Sequence, residues 1–126
     1  MFKIYQRHIT GKEGEQEAVQ YLKKKGYQIL ETNFFCQRGE IDIIALDKQE
    51  LVFIEVKTRS NSHYGNPAEA VTRQKQKHIY KTAEYYLYVR NLEQEQIRID
   101  VIEVYFSGQT HKIHHIPKAI IDQRTK

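Results

Sequence analysis

The chain has 126 residues, 40% of them hydrophobic and 29% charged, which suits one globular domain with a single core and is too little for two. A single cysteine excludes a disulfide framework, and six glycines with two prolines exclude a low-complexity chain. The net charge of +4 and a pI near 9.1 permit a polyanionic partner without demanding one. The longest apolar run, Tyr85 to Val89, falls far short of the ~20 residues that cross a bilayer, and Met1 to Thr10 holds no apolar stretch of signal-peptide length. The expectation is a reduced, cytoplasmic protein without a membrane partner, forming a single domain over residues 1–126.

Thr10 with Glu13 makes a capping box, and Gly26 follows Lys23, Lys24 and Lys25 as a stop, so Thr10 to Gly26 reads as a helix. Tyr27 to Phe34 reads as a strand. Glu40 to Leu46 and Leu51 to Lys57, rich in Ile, Val and Phe, form a hairpin about the turn Asp47 to Glu50. After the polar loop Thr58 to Gly65, Asn66 caps a long helix with Pro67 at its first position and Glu69 completing the cap, and the helix runs to about Arg90. Ile97 to Phe106 is a strand, and Lys112 to Ile116 is a short edge strand closed by Pro117. The order α-β-β-β-α-β-β implies an α/β fold, a central sheet covered on both faces.

Strand alternation puts Glu55 and Lys57 on one face, about 7 Å apart, with Val52, Ile54 and Val56 on the other. A turn centred on Lys48 and Gln49 sets Asp42 opposite Glu55 and Glu40 opposite Lys57. Directly opposed carboxylates destabilise a sheet, and a divalent cation would compensate them. Glu15 falls on the helix stripe of Ala18, Val19 and Leu22 and so points inward as a third acid. Oxygen ligands without a Cys/His set favour Mg²⁺ or Mn²⁺, and a water held by such an ion can attack a phosphodiester, with Lys57 orienting or deprotonating it. The bland alternative is a solvated Glu55–Lys57 edge pair and a Glu15 that merely favours the helix dipole.

Gly39-Glu40-Ile41-Asp42-Ile43-Ile44 followed by Glu55-Val56-Lys57-Thr58-Arg59 resembles the D-x(n)-E-x-K signature of the restriction-endonuclease-like, or PD-(D/E)XK, nuclease superfamily. Together with Gly14-Glu15, Ala18, Tyr21-Leu22, Gly26-Tyr27 and Asn33-Phe34, and with Gly65-Asn66-Pro67, Ala70-Val71 and Lys75, these motifs are similar to the bacterial YraN-like family, and more distantly to archaeal Holliday-junction resolvases. The likeness runs from about Gly11 to Val101. It implies an αβββαβ core with a mixed central sheet flanked by helices. It further implies a site in which Asp42 and Glu55 bind the metal, Lys57 serves the attacking water and Glu15 completes the acidic set. Ile41 stands where the superfamily's name has Pro.

Between Val71 and Lys81 stand Arg73, Lys75, Lys77 and Lys81 with no acid, and Arg73, Lys77 and Lys81 form one helical stripe. With Arg59 they are the expected nucleic-acid contacts, against the alternative of a plain solvated face. Cys36 is read as a packing residue, and His111, His114 and His115 are not read as a zinc site, because alternation separates His114 from the other two. Asp100 either supports the sheet or pairs with Arg98. The function these readings give is a metal-dependent endonuclease acting on DNA, with branched DNA entering by analogy. The alternative is a nucleic-acid-binding protein that keeps the fold with little or no turnover, and a sugar hydrolase using Asp42 and Glu55 fits poorly with Lys57. A homodimer is compatible with the sequence.

Overall fold

The computed structural model describes residues 11–60 and 71–120. In chain order the elements are α1 (Gly11–Lys24), β1 (Gln28–Cys36), β2 (Gly39–Asp47), β3 (Glu50–Ser60), α2 (Arg73–Val89), β4 (Ile97–Ser107) and β5 (Thr110–Ile120). The five strands form one sheet in sequence order. The pairs are antiparallel except β3–β4, which is parallel because α2 crosses over between them.

Each helix covers one face. Ala18 and Leu22 of α1 pack on Ile43, Val52, Ile54 and Ile102. On the other face Ile79, Ala83, Tyr86 and Leu87 of α2 pack on a layer that includes Ile44 and Phe53. Burial of each leucine, isoleucine, valine or phenylalanine among these stabilises the fold by roughly 1.5–3 kcal/mol. Tyr86 also receives Phe34 and Phe53 edge-on, at ring separations of 5.1 and 5.7 Å.

Both helices stop by the same device. Gly26, at φ +96°, lets Tyr27 N–H donate to Leu22 O and Gly26 N–H to Lys23 O. Asn91, at φ +59°, does the same after α2, with Leu92 N–H on Leu87 O and Asn91 N–H on Tyr88 O. Both are Schellman closures, and the lysine-rich end of α1 complements its dipole.

Several expected boundaries differ, among them that of β3, which runs past Lys57 to Ser60 and takes in the start of the expected loop Thr58 to Gly65. α2 begins at Arg73, capped by Thr72, whose Oγ1 accepts from Lys75 N–H at 3.1 Å. Val71 thus precedes the helix, and the expected cap at Asn66, Pro67 and Glu69 lies outside the described residues. β1 extends to Cys36. β5 runs through Pro117 to Ile120, with a register shift against Ile99 and Val101. An outermost strand tolerates proline, because its outward N–H groups have no ladder partner to lose.

The expected hairpin register holds from Asp47↔Glu50 to Ile43↔Ile54 and then ends, so neither Asp42 and Glu55 nor Glu40 and Lys57 are ladder partners. Beyond that point β3 stays paired with β4 as far as Ser60↔Phe106. β2 meanwhile changes sides: Ile43 lies in the α1-side core and Ile41 in the α2-side core, although a regular strand would place both on one face. Asn33 on the neighbouring strand, at φ +55° between the pairs Thr32↔Ile43 and Phe34↔Ile41, makes the matching twist. A cleft therefore opens between β2 and β3, with Asp42 on one lip and Glu55 on the other.

Candidate functional site

Three carboxylates converge at this cleft. Asp42 Oδ2 accepts the Val56 N–H at 2.7 Å, taking a backbone donor that the ended β2–β3 ladder leaves available. Burial, then the charge of Glu55, push the Asp42 carboxyl up to about 7; the Val56 N–H opposes the rise, and the charge of Glu15 and a hydrogen bond shared with it add to it. Glu15 reaches the cleft from the first turns of α1 and is held by Asn33 Nδ2, which donates to its Oε1 at 2.9 Å. Gly14 lets the helix come this close, because a Cβ there would stand 1.9 Å from Thr58 Oγ1.

Glu55 is buried, and its charge is met by two lysines. Lys57 Nζ lies 3.7 Å and Lys75 Nζ 3.4 Å from its Oε2. Alternation puts Glu55 and Lys57 on one face; Lys75 arrives from the first turn of α2. Its place in the sequence groups it with the cations of the helix, whereas in the fold it turns to the carboxylate. The exposed Arg73, Lys77 and Lys81 line a groove with Tyr80, Ala119 and Ile120, in which Glu84 is the acid. Arg59 leans toward Glu103, with its Nη2 4.0 Å from Oε2.

The donor chemistry suits a hard divalent cation, since all three groups offer carboxylate oxygens and burial, then the charge of Glu55, raise the Asp42 carboxyl. The arrangement is not a preformed cage. Among the described residues no group of three or more His, Cys, Asp or Glu side chains is placed to hold a metal ion. The three histidines each meet a different carboxylate: His111 meets Glu17, His114 meets Glu103 and His115 meets Asp100.

Two clusters are not legible in the sequence. On the α1 side the fully buried Asp100 accepts from Arg98 Nε at 3.0 Å and Lys118 N–H at 2.9 Å, and lies 2.7 Å from His115 Nε2. Burial favours its neutral form, yet these hydrogen bonds and the Arg98 charge outweigh burial and hold the carboxyl below its usual range. Arg98 also reaches Asp47, Glu50 and the Tyr27 hydroxyl, tying the β2–β3 turn to β4. The Arg98–Asp100 pair is one of the two sequence options for Asp100; the rest joins residues far apart in the chain. On the α2 side Glu103, also fully buried, meets His114 and Tyr105. Cys36 is half-buried, with Arg38 N–H 3.4 Å from its Sγ.

The mixed sheet, its two covering helices and the β3–α2–β4 crossover define a restriction-endonuclease-like α/β core. The description "Uncharacterised protein family UPF0102" matches residues 14–104, and the chain belongs to that family. A UPF0102 protein of Caldanaerobacter subterraneus subsp. tengcongensis is 48% identical over 120 residues, covering 93% of this chain and 98% of its own. Those of Geobacter metallireducens and Clostridium perfringens are 50% and 49% identical, each covering 89% of the relative. A solved chain described as "Crystal structure of SSO0001" is 19% identical with a TM-score of 0.33, covering 86% of this chain and 50% of that one, a likeness too slight to carry an argument. Among the described residues no helix is long and apolar enough to cross a membrane.

Proposed function

We propose that this protein binds the phosphates of a nucleic acid, DNA in the first instance, with α2 as the main source of cations. The observation that carries the reading is the exposed row Arg73, Lys77 and Lys81 along one groove. Like charges at four-residue spacing repel one another, and phosphates relieve that repulsion while releasing condensed counterions. Lys57 and Lys75 continue the positive charge toward the cleft, where Glu55 holds them. The lone cysteine suits a reducing cytoplasm, which is part of the proposal.

Fluorescence anisotropy with labelled linear, flapped and four-way-junction DNA, in EDTA, tests it. Branched DNA is in the panel by analogy with resolvases. The expected result is binding that weakens steeply with salt, and no binding at low ionic strength refutes the reading.

One observation favours a second reading, in which binding leads to hydrolysis: Asp42, bonded to the Val56 N–H, lies among the carboxylates of Glu55 and Glu15, and burial and then their charge raise its carboxyl to about 7. Asp42 and Glu55, with Glu15, are the groups that would hold Mg²⁺ or Mn²⁺. Such an ion supplies charge neutralisation at the phosphate and a bound water of lowered pKa. Of the chain's own groups, Lys57 would orient the attacking water or a phosphate oxygen, Lys75 offsets the Glu55 charge, and Asn33 fixes Glu15. Binding stands first because the carboxylates do not form a cage as they lie. Adding Mg²⁺ or Mn²⁺ to the same DNA panel separates the readings: cleavage that Asp42→Asn abolishes supports the second, and binding without cleavage leaves the first alone.

A further inference from the structure

The β-ladders place Lys57, Glu103 and His114 in one row across β3, β4 and β5. The row lies on the α2 side of the sheet, because Ile102, Val104 and Ile113 beside it in the chain pack into the opposite core. Glu55 and Arg59 flank Lys57 on the same face of β3. The row therefore lies two residues along β3 from Glu55.

Glu103 is an unusual member. It is fully buried, and its Oε1 takes both His114 Nδ1, at 2.9 Å, and the Tyr105 hydroxyl, at 3.0 Å. Its Oε2 is buried without a hydrogen-bond partner among the described residues, as is Arg59 Nε, although the Arg59 guanidinium stands 4.0 Å away. Taking a carboxylate out of water costs several kcal/mol, and an apolar residue would serve packing alone better. The cost is understandable if the carboxylate sets the orientation of its partner.

That partner is exposed. The His114 side chain keeps 57% of its surface in solvent while Nδ1 is turned inward onto Glu103. The ring is thus fixed with Nε2 directed outward, and Nε2 has no partner among the described residues. Satisfying Glu103 takes only Nδ1 and leaves the second ring nitrogen on the solvent side. The pairing is a good way to present one nitrogen. A metal ligand is the less suitable role, because His114 and Glu103 have no third donor of the His, Cys, Asp or Glu type beside them among the described residues. Lys57 and Arg59 stand on the same face, set against the buried carboxylates of Glu55 and Glu103 and so offsetting their charge.

We propose that His114, held by Glu103, donates from Nε2 to a phosphate of the nucleic-acid strand, extending the contact surface from β3 across the sheet to β5. With both ring nitrogens protonated, Nδ1 serves Glu103 and Nε2 serves the phosphate. This rests on the nucleic-acid reading above and adds to it a contact on the side of the cleft away from β2.

The test is DNA binding in EDTA at low ionic strength. His114→Gln can still donate to Glu103 but offers no second nitrogen, so it should fold and bind about tenfold more weakly, the order expected for one charge-assisted hydrogen bond. His114→Arg, which restores an outward cation, should recover most of the affinity. His111→Ala, on the opposite face against Glu17, should bind as the wild type does. Thermal unfolding checks that each variant is folded. If the wild type binds and His114→Gln binds equally well, or if His114→Arg is as weak as His114→Gln, the assignment of His114 is wrong while the α2 reading stands. If the wild type does not bind, both fall.

Discussion

Replacing Asp42 by Asn should stabilise the metal-free protein at neutral and higher pH, against the usual direction for a change at a partly buried polar residue. Asp42 accepts the Val56 N–H, and the asparagine carbonyl can accept the same bond while its amide donates to Glu15, so the geometry persists and one negative charge is removed. In the wild type, burial and the charges of Glu55 and Glu15 raise this carboxyl from 3.8 to about 7. Between those values the folded state binds more protons than the unfolded state, so stability is full below about pH 4 and falls as pH rises toward 7. At 1.36 kcal/mol per pH unit the penalty is at most about 4 kcal/mol, and relaxation of the site brings the expected difference to about 1–3 kcal/mol. Urea denaturation in EDTA at about pH 4 and about pH 8 measures it. The wild type should lose that amount relative to Asp42→Asn, with a thermal midpoint lower by roughly 4 °C per kcal/mol at the higher pH. Millimolar Mg²⁺ should narrow the gap by binding the wild type better. Parallel pH profiles, or a variant less stable at the higher pH, would refute the argument from crowded charge.

Lys57→Ala should leave the thermal midpoint within a few degrees, since Lys75 still meets Glu55, while any metal-dependent cleavage falls sharply; unaltered cleavage removes Lys57 from that reading. The triple change Arg73→Ala/Lys77→Ala/Lys81→Ala should flatten the plot of log binding constant against log salt by about 0.9 for each duplex phosphate no longer neutralised, and coincident slopes would make the stripe a solvated face. Arg98→Leu should cost about 3–5 kcal/mol, read by urea denaturation, because it strips the cation from a fully buried Asp100. Since the Asp100 carboxyl is held below its usual range, its contribution is present above about pH 4 and disappears on further acidification, so the variant should show a weaker acid transition. Gly39→Ala should destabilise by more than about 1 kcal/mol, because Gly39 has φ +148° and a Cβ would stand 2.7 Å from Thr82 Oγ1; Gly11→Ala, with nothing within 4 Å, is the control.

The element order and the register of the central hairpin are legible in the sequence because both rest on local rules. β-branched residues and a two-residue turn at Lys48 and Gln49 set which residues oppose one another, and Gly26 announces the end of α1 through its left-handed backbone. The end of α2 is less visible, since Asn91 does the work of a glycine there. α2 starts later than expected, at Arg73 under a Thr72 cap, since a lone threonine before a basic stretch carries less local signal than Asn66 followed by Pro67 and Glu69.

What tertiary structure alone decided is how charges from separate elements meet. Alternation within β3 places Glu55 beside Lys57, but it says nothing of Lys75, which the α2 crossover brings to the same oxygen. Nor does it give the side switch at Asn33 and Ile41, which parts β2 from β3 and turns Asp42 to Val56 N–H. The Lys57–Glu103–His114 row depends on the parallel pairing of β3 with β4, set by the length and path of a crossover rather than by any turn. Sequence specifies what each short segment prefers, through propensities and periodicities that act over a few residues. Long-range ladders and core packing choose which of those segments become neighbours, and the pKa of Asp42 and the orientation of His114 follow from that choice.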